Sequence, residues 1–220
     1  MNLVQFLVDL FLHLDTHLSA VITQYGTWTY ALLFVVIFVE TGLVVTPFLP
    51  GDSLIFAAGT FAALGSLNIW LLFVLLAVAA VLGDTVNYWI GHFLGGRAYS
   101  IKWIKREYLE RTQQFFDKYG RKTIFLARFV PIVRTFAPFV AGIGRMSYPA
   151  FISYNIFGGI TWVALFTFVG YFFGNIPFIR QHFSLVVMAI VLISVLPMVI
   201  EAVKAQREGK QAKAEVTETP

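Results

Sequence analysis

Two arginines lie within an otherwise apolar stretch of the chain, Arg128 and Arg134 in residues 124–143. A guanidinium group is permanently charged and binds carboxylates and phosphates through paired hydrogen bonds. An arginine at bilayer depth is costly, so it normally faces a partner, a ligand or water. These two residues therefore predict a site that handles an anionic ligand inside a membrane.

The same stretch holds Pro131 and Pro138, and Gly142 follows them. Two prolines would break an ordinary transmembrane helix, because each lacks a backbone N–H. Freed backbone groups are tolerated at membrane depth only where protein or a water-filled cavity covers them. We therefore predict a re-entrant hairpin over residues 123–145, with these three residues at its breaks.

A similar break occurs earlier in the chain, at Pro47, Pro50 and Gly51. The apolar return that follows, residues 53–64, is shorter than the roughly 20 residues a spanning helix needs. We therefore predict a first re-entrant hairpin over residues 28–64. The run TPFLPG at 46–51 resembles APFVAG at 137–142, which suggests an inverted repeat with a binding site near the midplane.

Glu40 and Asp52 flank the first break as Arg128 and Arg134 flank the second. If the hairpin tips meet, the two acids and two arginines share one cavity. One interpretation is that they form ion pairs that hold the hairpins together, because pairing relieves the cost of burying both charges. The other is that the arginines bind a phosphate head-group while the acids couple protonation to opening. The two interpretations are compatible.

Further polar residues lie in the apolar segment 69–90, where Asp84, Asn87 and Tyr88 are candidates for a secondary polar lining. Asp84 and Tyr88 share one helix face at four-residue spacing. The alternative is that they mark a polar helix end near the interface. His13 and His17 have the same spacing, but no further ligand is close in sequence, and we predict no metal site.

The composition is that of an integral membrane protein: 58% of the 220 residues are hydrophobic and 13% are charged. The absence of cysteine excludes disulfides and thiolate sites. We predict an all-α fold with an inverted-repeat-like core of two opposed re-entrant hairpins. We predict a single membrane domain over residues 1–203, followed by a polar tail at 204–220. Besides the two hairpins, this domain contains an amphipathic helix at 3–22 and three full spans, at 69–90, 151–173 and 184–203.

The basic residues predict the orientation. Residues 97–122 form a basic, amphipathic segment with eight lysines and arginines against three acids. This segment and the tail after residue 203 should be cytoplasmic under the positive-inside rule. The basic face also suits anionic lipid. We expect membrane lipids and protons as partners, and neither nucleic acid nor a cofactor. The sequence does not decide whether the chain forms a homo-oligomer.

Two long motifs resemble the signatures of the DedA family, also described as the VTT or SNARE-associated domain. The first is ETGL at 40–43 followed by PFLPGDSL at 47–54, and the second is ARFVPIVRTFAP at 127–138. The runs GDTVNY at 83–88 and GYFFG at 170–174 extend the resemblance over nearly the whole chain. It implies a bacterial inner-membrane protein with two opposed hairpins, in which Glu40, Asp52, Arg128 and Arg134 match family positions.

The resemblance also implies translocation of a lipid, undecaprenyl phosphate or a phospholipid such as phosphatidylethanolamine, linked to the proton-motive force. Our leading hypothesis is accordingly a transporter of lipids with an anionic head-group, and not an enzyme. One alternative is a proton-coupled ion or drug antiporter, which would need both arginines neutralised by the acids. Another is a membrane polyprenyl-pyrophosphate phosphatase, for which the sequence offers a hydroxyl at Ser53 but no matching nucleophile-support motif.

Overall fold

The computed structural model describes residues 14–43, 51–100, 106–174 and 176–177, and the elements in these ranges are helical throughout, with no strand. Helices are expected of so apolar a chain, because a helix satisfies its backbone hydrogen bonds internally without water. The eight α-helices in the described part are α1 (Leu14–Tyr25), α2 (Trp28–Gly42), α3 (Gly51–Ala63), α4 (Ile69–Leu94), α5 (Arg106–Tyr119), α6 (Thr123–Ala127), α7 (Pro131–Ile143) and α8 (Tyr148–Gly174).

Two helices are long and apolar enough to cross a membrane, α4 with 26 residues and α8 with 27. At about 1.5 Å per residue, each exceeds the roughly 30 Å of a hydrocarbon core. They confirm two of the three predicted spans, and the third, at 184–203, lies outside the described residues. The described part of the predicted N-terminal helix, α1, continues past residue 22 to Tyr25.

The first predicted hairpin consists of α2, which ends before the break, and α3, which begins after it. Pro47 and Pro50 lie outside the described residues, and Gly51 is the first residue of α3. The two helices pack mainly on different partners, α2 on α4 and α3 on α8. The broken segment is therefore stabilised by the long helices more than by contact between its own arms.

The second predicted hairpin has unequal arms, because α6 is only 5 residues long and α7 has 13. Pro131 begins α7, where a missing N–H costs little, so the break precedes it at Arg128–Val130. The prediction that Pro138 and Gly142 mark breaks is wrong. Both lie inside α7, and Pro138 only removes the hydrogen bond that would reach the carbonyl of Arg134.

The basic segment 97–122 is interrupted where one amphipathic helix was expected. A 3₁₀ turn at Gly95–Ser100 precedes α5, and another at Gly120–Lys122 follows it. Helix α5 itself is amphipathic and covers α7, where Leu109 and Phe116 pack against Phe136. The apolar face of the segment is thus used to cover the second broken segment.

Glycines bring α3 and α8 into backbone contact. A side chain at Gly59 would collide with the carbonyl of Thr167, and one at Gly170 would collide with the carbonyl of Phe56. The hydroxyl of Thr60 donates a hydrogen bond to the Gly170 carbonyl at 3.0 Å. Small residues at helix interfaces allow this approach, which is a main source of association energy in a membrane.

The contact between α7 and α4 repeats this arrangement. A side chain at Gly142 would collide with the carbonyl of Tyr88, and one at Gly91 would collide with the carbonyl of Phe139. Each broken segment thus lays its second arm, α3 or α7, on the long helix of the other half. This exchange supports the predicted repeat, because the half α2–α4 and the half α6–α8 make matching contacts. The first arm packs on the long helix of its own half, and the second arm packs on that of the other half.

The register of the repeat differs from the one predicted. The sequence comparison aligned Gly51 with Gly142, but Gly51 begins α3 and Gly142 lies near the end of α7. The equivalent glycine is Gly59, because Gly59 and Gly142 make the same backbone contact with the opposite long helix. The sequence alignment of Gly51 with Gly142 therefore does not match the helix contacts.

Gly59→Ala should lower the thermal stability of the detergent-solubilised protein, because the added methyl group forces α3 away from α8. Overpacking of this kind costs about 1–3 kcal/mol. The measurement is the temperature at which the monodisperse size-exclusion peak is lost. The matched control is Gly96→Ala, since a side chain there meets no atom within 4 Å. Equal melting of the two variants would contradict the packing role.

Candidate functional site

Arg134 joins the two broken segments. It lies in the first turns of α7 and makes ion pairs with Asp52 of α3, Nη1 to Oδ1 at 2.7 Å, and with Glu40 of α2, Nη2 to Oε1 at 2.6 Å. The structure therefore brings together three of the four charged residues predicted to share a cavity. Because a guanidinium can donate to two carboxylates at once, a single residue connects α2, α3 and α7.

Glu40 is held by the start of α3 as well as by Arg134. The Gly51 backbone N–H donates to Glu40 Oε1 at 3.3 Å, so the carboxylate sits at the N-terminal end of a helix. Negative charge is favoured there, because the first N–H groups of a helix have no partner within it. A side chain at residue 51 would collide with this carboxylate, which explains a glycine at the break.

Trp162 of α8 completes this cluster and was not among the predicted site residues. Its indole Nε1 donates to Asp52 Oδ1 at 2.9 Å, and the Arg134 guanidinium lies 4.9 Å from its ring centroid. The side chain is fully buried. The available sequence signal was a tryptophan in the middle of an apolar span, close to the glycine pair at 158–159. We call Glu40, Asp52, Arg134 and Trp162 the outer cluster.

Arg128 does not join Glu40 and Asp52 as predicted. It follows the last residue of α6, and its Nη2 donates to Asp84 Oδ2 of α4 and, at 2.6 Å, to Asn155 Oδ1 of α8. Asp84 is thus an ion-pair partner, a stronger role than the secondary lining predicted for it. The pair forms because α6 and α4 both pack on α8, which brings the residue after α6 within reach of α4. We call Arg128, Asp84 and Asn155 the inner cluster.

Asn155 was missed by the sequence analysis, although it orients the inner cluster. Its Nδ2 donates to the carbonyl of Val81 at 3.0 Å, which fixes its Oδ1 toward Arg128. Gly158 makes room for the arginine, since a side chain there would lie 3.0 Å from Arg128 Cδ. An asparagine three residues before a glycine on one apolar helix was the signal available.

Asn87 and Tyr88 connect helices and do not line the clusters. Asn87 Nδ2 donates to the carbonyl of Thr41 at 3.2 Å and to that of Thr135 at 3.0 Å, tying the end of α2 and the start of α7 to α4. The Tyr88 hydroxyl donates to the carbonyl of Met146 at 2.5 Å. Both side chains are buried, so their contribution is to hold the broken segments in place.

The two clusters differ in accessibility. In the outer cluster the side chains of Arg134 and Asp52 are 15% and 19% exposed, whereas those of Arg128 and Asp84 are 2% and 6% exposed. Among the described residues, Arg128 Nε and Nη1 and Glu40 Oε2 are buried polar atoms without a hydrogen-bond partner. Arg134 and Asp52 are therefore the most accessible of the charged residues in the two clusters.

The comparisons with known proteins show the family of this chain. The VTT domain matches residues 49–172, and Protein DedA of Escherichia coli strain K12 is 52% identical over 217 residues, 96% of this chain and 99% of that protein. The chain belongs to the DedA family. An uncharacterized membrane protein of Mycobacterium leprae is 44% identical over 186 residues, 83% of each chain.

Another relative is the inner membrane protein YqjA of E. coli K12, 33% identical over 173 residues, 77% of this chain and 79% of that protein. The M. leprae relative and YqjA are named as a membrane protein and an inner-membrane protein, and this DedA-family chain is a membrane protein as well. No solved structure matches it. The VTT match includes Asp52, Asp84, Arg128 and Arg134, while Glu40 precedes it.

The charges of this DedA-family site do not balance. Three carboxylates, Glu40, Asp52 and Asp84, face two guanidiniums, so the fully ionised site carries one surplus negative charge. Arg134 is shared by two acids, and the surplus therefore falls on the outer cluster. Binding one proton or one cation would neutralise it. Within the described residues, no group of three or more metal-binding side chains is placed to hold a metal ion.

Asp84→Asn should destabilise the protein strongly, because it leaves the buried charge of Arg128 without a counter-charge. Breaking one partner of a buried pair costs about 3–5 kcal/mol. The double variant Asp84→Asn/Arg128→Gln should recover most of this loss, since both buried groups are then neutral and able to hydrogen-bond. Thermal unfolding of the singles and the double gives the coupling energy. Asp117→Asn, at an exposed position on α5, is the control, and additive losses would contradict the pairing.

Proposed function

We propose that this protein translocates a lipid with an anionic phosphate head-group across the bacterial inner membrane, linked to proton movement. Undecaprenyl phosphate and phospholipids are the candidate substrates. The observation that carries the proposal is the partly exposed Arg134, held between two carboxylates at the junction of two broken helices. Such junctions are where secondary transporters bind their substrates.

The chemistry of Arg134 suits a phosphate. A guanidinium presents two parallel N–H donors to a phosphate in the same geometry as to a carboxylate. Its Nη1 and Nη2 are now used by Asp52 and Glu40, so a phosphate would bind by replacing one of these acids. Protonation of the displaced acid would remove its charge and make the exchange possible. The surplus negative charge of the outer cluster supplies the reason for such coupling.

A lipid fits the small size of this site. The hydrocarbon tails of a lipid can remain in the bilayer during translocation, so only the head-group needs a polar path. Broken helices and a few charges near the middle of the membrane are sufficient for that task. We further propose that both broken segments are re-entrant and enter from opposite faces, with the basic segment around α5 and the C-terminal tail in the cytoplasm.

A second candidate function, proton-coupled antiport of a cation or drug, is favoured by one specific observation. Each guanidinium has a carboxylate partner, Arg134 in the outer cluster and Arg128 in the inner cluster, and one negative charge is left over. A cation would be attracted to this surplus. The lipid proposal ranks first because two buried nitrogens of Arg128, Nε and Nη1, have no partner among the described residues, and their N–H groups suit an anion.

We propose transport and not hydrolysis. The hydroxyl considered for a phosphatase nucleophile, Ser53, is 1% exposed, and its Oγ makes no hydrogen bond to another described residue. A serine nucleophile needs an adjacent base within hydrogen-bond distance and a path to the substrate. Ser53 meets neither condition, so we do not expect it to attack a phosphate.

Arg134→Ala should slow lipid translocation at least tenfold in proteoliposomes, because it removes the phosphate contact; a tenfold change corresponds to about 1.4 kcal/mol. The assay reconstitutes purified protein with labelled undecaprenyl phosphate or phosphatidylethanolamine and measures transfer between leaflets. Arg121→Ala, an exposed basic residue outside both clusters, is the control and should translocate normally. If well-folded wild-type protein translocates neither lipid, proton-coupled antiport becomes the leading hypothesis.

Glu40→Gln should leave any remaining translocation insensitive to an imposed pH gradient. Glutamine keeps the shape of the side chain but neither gains nor loses a proton, so it removes the surplus charge of the outer cluster. The measurement is the ratio of rates with and without the gradient, compared with wild type. Glu107→Gln, at an exposed position on α5, is the matched control. A full gradient response in Glu40→Gln would exclude Glu40 as the coupling group.

A further inference from the structure

An apolar groove lies on the surface between α4 and α8. It has a volume of about 380 Å³ and is lined by six apolar residues of α4 between positions 73 and 82 and by Ile156 and Ile160 of α8. Its volume lies within the range of small-molecule sites, roughly 300–1,000 Å³. The α4 residues recur at three- and four-residue spacing, so they form one continuous face.

One end of the groove adjoins the inner cluster. Val81 lines the groove, and its carbonyl accepts the hydrogen bond from Asn155 that orients Arg128. Along α4, Asp84 follows one turn after Val81, and along α8 Asn155 immediately precedes Ile156. The groove therefore runs from a purely apolar end to an end beside a charged cluster.

Very little protein separates the groove from the guanidinium. A side chain at Gly159 would lie 3.0 Å from Val81 Cγ2 and 3.4 Å from Arg128 Nη2, so the valine and the arginine both lie close to this glycine. Arg128 is 3% exposed, and its Nε and Nη1 make no hydrogen bond to another described residue. Unpaired buried donors of a charged group are costly, and an anionic acceptor would satisfy them.

We infer that the groove between α4 and α8 is a binding site for one hydrocarbon chain of a phosphate-bearing lipid, whose phosphate is directed to Arg128 at the Val81 end. The inference rests on the proposed function and gives Arg128 a role separate from that of Arg134. The combination of an apolar groove and an adjoining buried cation matches an amphiphile with an anionic head. A neutral lipid with the same chains would gain the apolar contacts only.

The proposed site gives the two clusters different roles. The inner cluster binds a lipid that has entered laterally from the bilayer, with its hydrocarbon chain along α4 and α8. The outer cluster, whose Arg134 and Asp52 are more exposed, provides the polar path for the head-group. Trp162 of the outer cluster is close to both guanidiniums, with its ring centroid 5.8 Å from the guanidinium of Arg128 and 4.9 Å from that of Arg134. A phosphate passing between the clusters would cross this ring.

The first test is photo-crosslinking of the full-length protein in phosphatidylcholine nanodiscs containing a small fraction of dioleoyl phosphatidic acid. A benzophenone amino acid is placed at Ile160, in the groove, or at Leu165, which is similarly exposed on α8 but outside the groove. Dioleoylglycerol, with the same chains and no phosphate, is the comparison lipid. Crosslinks are quantified by mass spectrometry.

Phosphatidic acid should be enriched several-fold at Ile160 over Leu165, whereas dioleoylglycerol should not be. The Asp84→Asn/Arg128→Gln double variant, which keeps the buried pair neutral, should abolish the enrichment of phosphatidic acid. Equal labelling at the two positions, or enrichment independent of the phosphate, would overturn the inference. So would crosslinks from Ile160 into a second copy of the chain or into residues 184–203, because another occupant would then fill the groove.

A second measurement separates this inference from the proposed function. Ile160→Trp fills the groove and should slow lipid translocation several-fold, while Leu165→Trp should leave it unchanged. Enrichment at Ile160 without any translocation by wild type would retain the lipid site and reject the transport proposal. Translocation that is normal in both tryptophan variants, with no enrichment at Ile160, would reject the lipid site and retain transport.

Discussion

The cost of placing charge inside a membrane governs this structure. A guanidinium at bilayer depth requires a counter-charge, and here each one finds it on a different part of the chain: Arg134 with Glu40 and Asp52, and Arg128 with Asp84. Because these residues lie on separate helices, satisfying the charges also fixes where the helices sit. The broken segments meet at Arg134 for this reason, and the start of α3 is stabilised by the Glu40 carboxylate that also neutralises Arg134.

Short helices in a membrane need neighbours, and glycines provide the close contact that makes those neighbours effective. Helices α3 and α7 are too short to span, so their backbone ends must be covered by protein. Gly59 and Gly142 let them lie directly on α8 and α4, and Asn87 ties both broken segments to α4. Loss of any of these contacts would expose backbone polar groups to lipid, which explains why packing and charge pairing cannot be separated here.

The division into two clusters gives a physical basis for moving an amphiphile. The inner cluster is buried beside an apolar groove, and the outer cluster is more accessible, with Trp162 close to both guanidiniums. A lipid presents the same division, with a chain that prefers hydrocarbon and a head that prefers charge. In the proposed function, the surplus carboxylate would let the outer cluster exchange an acid for a phosphate when a proton binds. The two proposals thus describe different parts of one path.

The sequence by itself determined the class of the protein and the charged residues that matter. Apolar content predicts a membrane protein, the lengths of α4 and α8 predict spans, and arginines between apolar residues must have partners, because these follow from local composition and transfer energy. It did not determine which acid pairs with Arg128, the role of Pro138 or the register of the repeat. Those depend on helix contacts between distant segments. Gly59 and Gly142 are equivalent only because of what they touch, and Asp84 reaches Arg128 only because α4 and α6 both pack on α8.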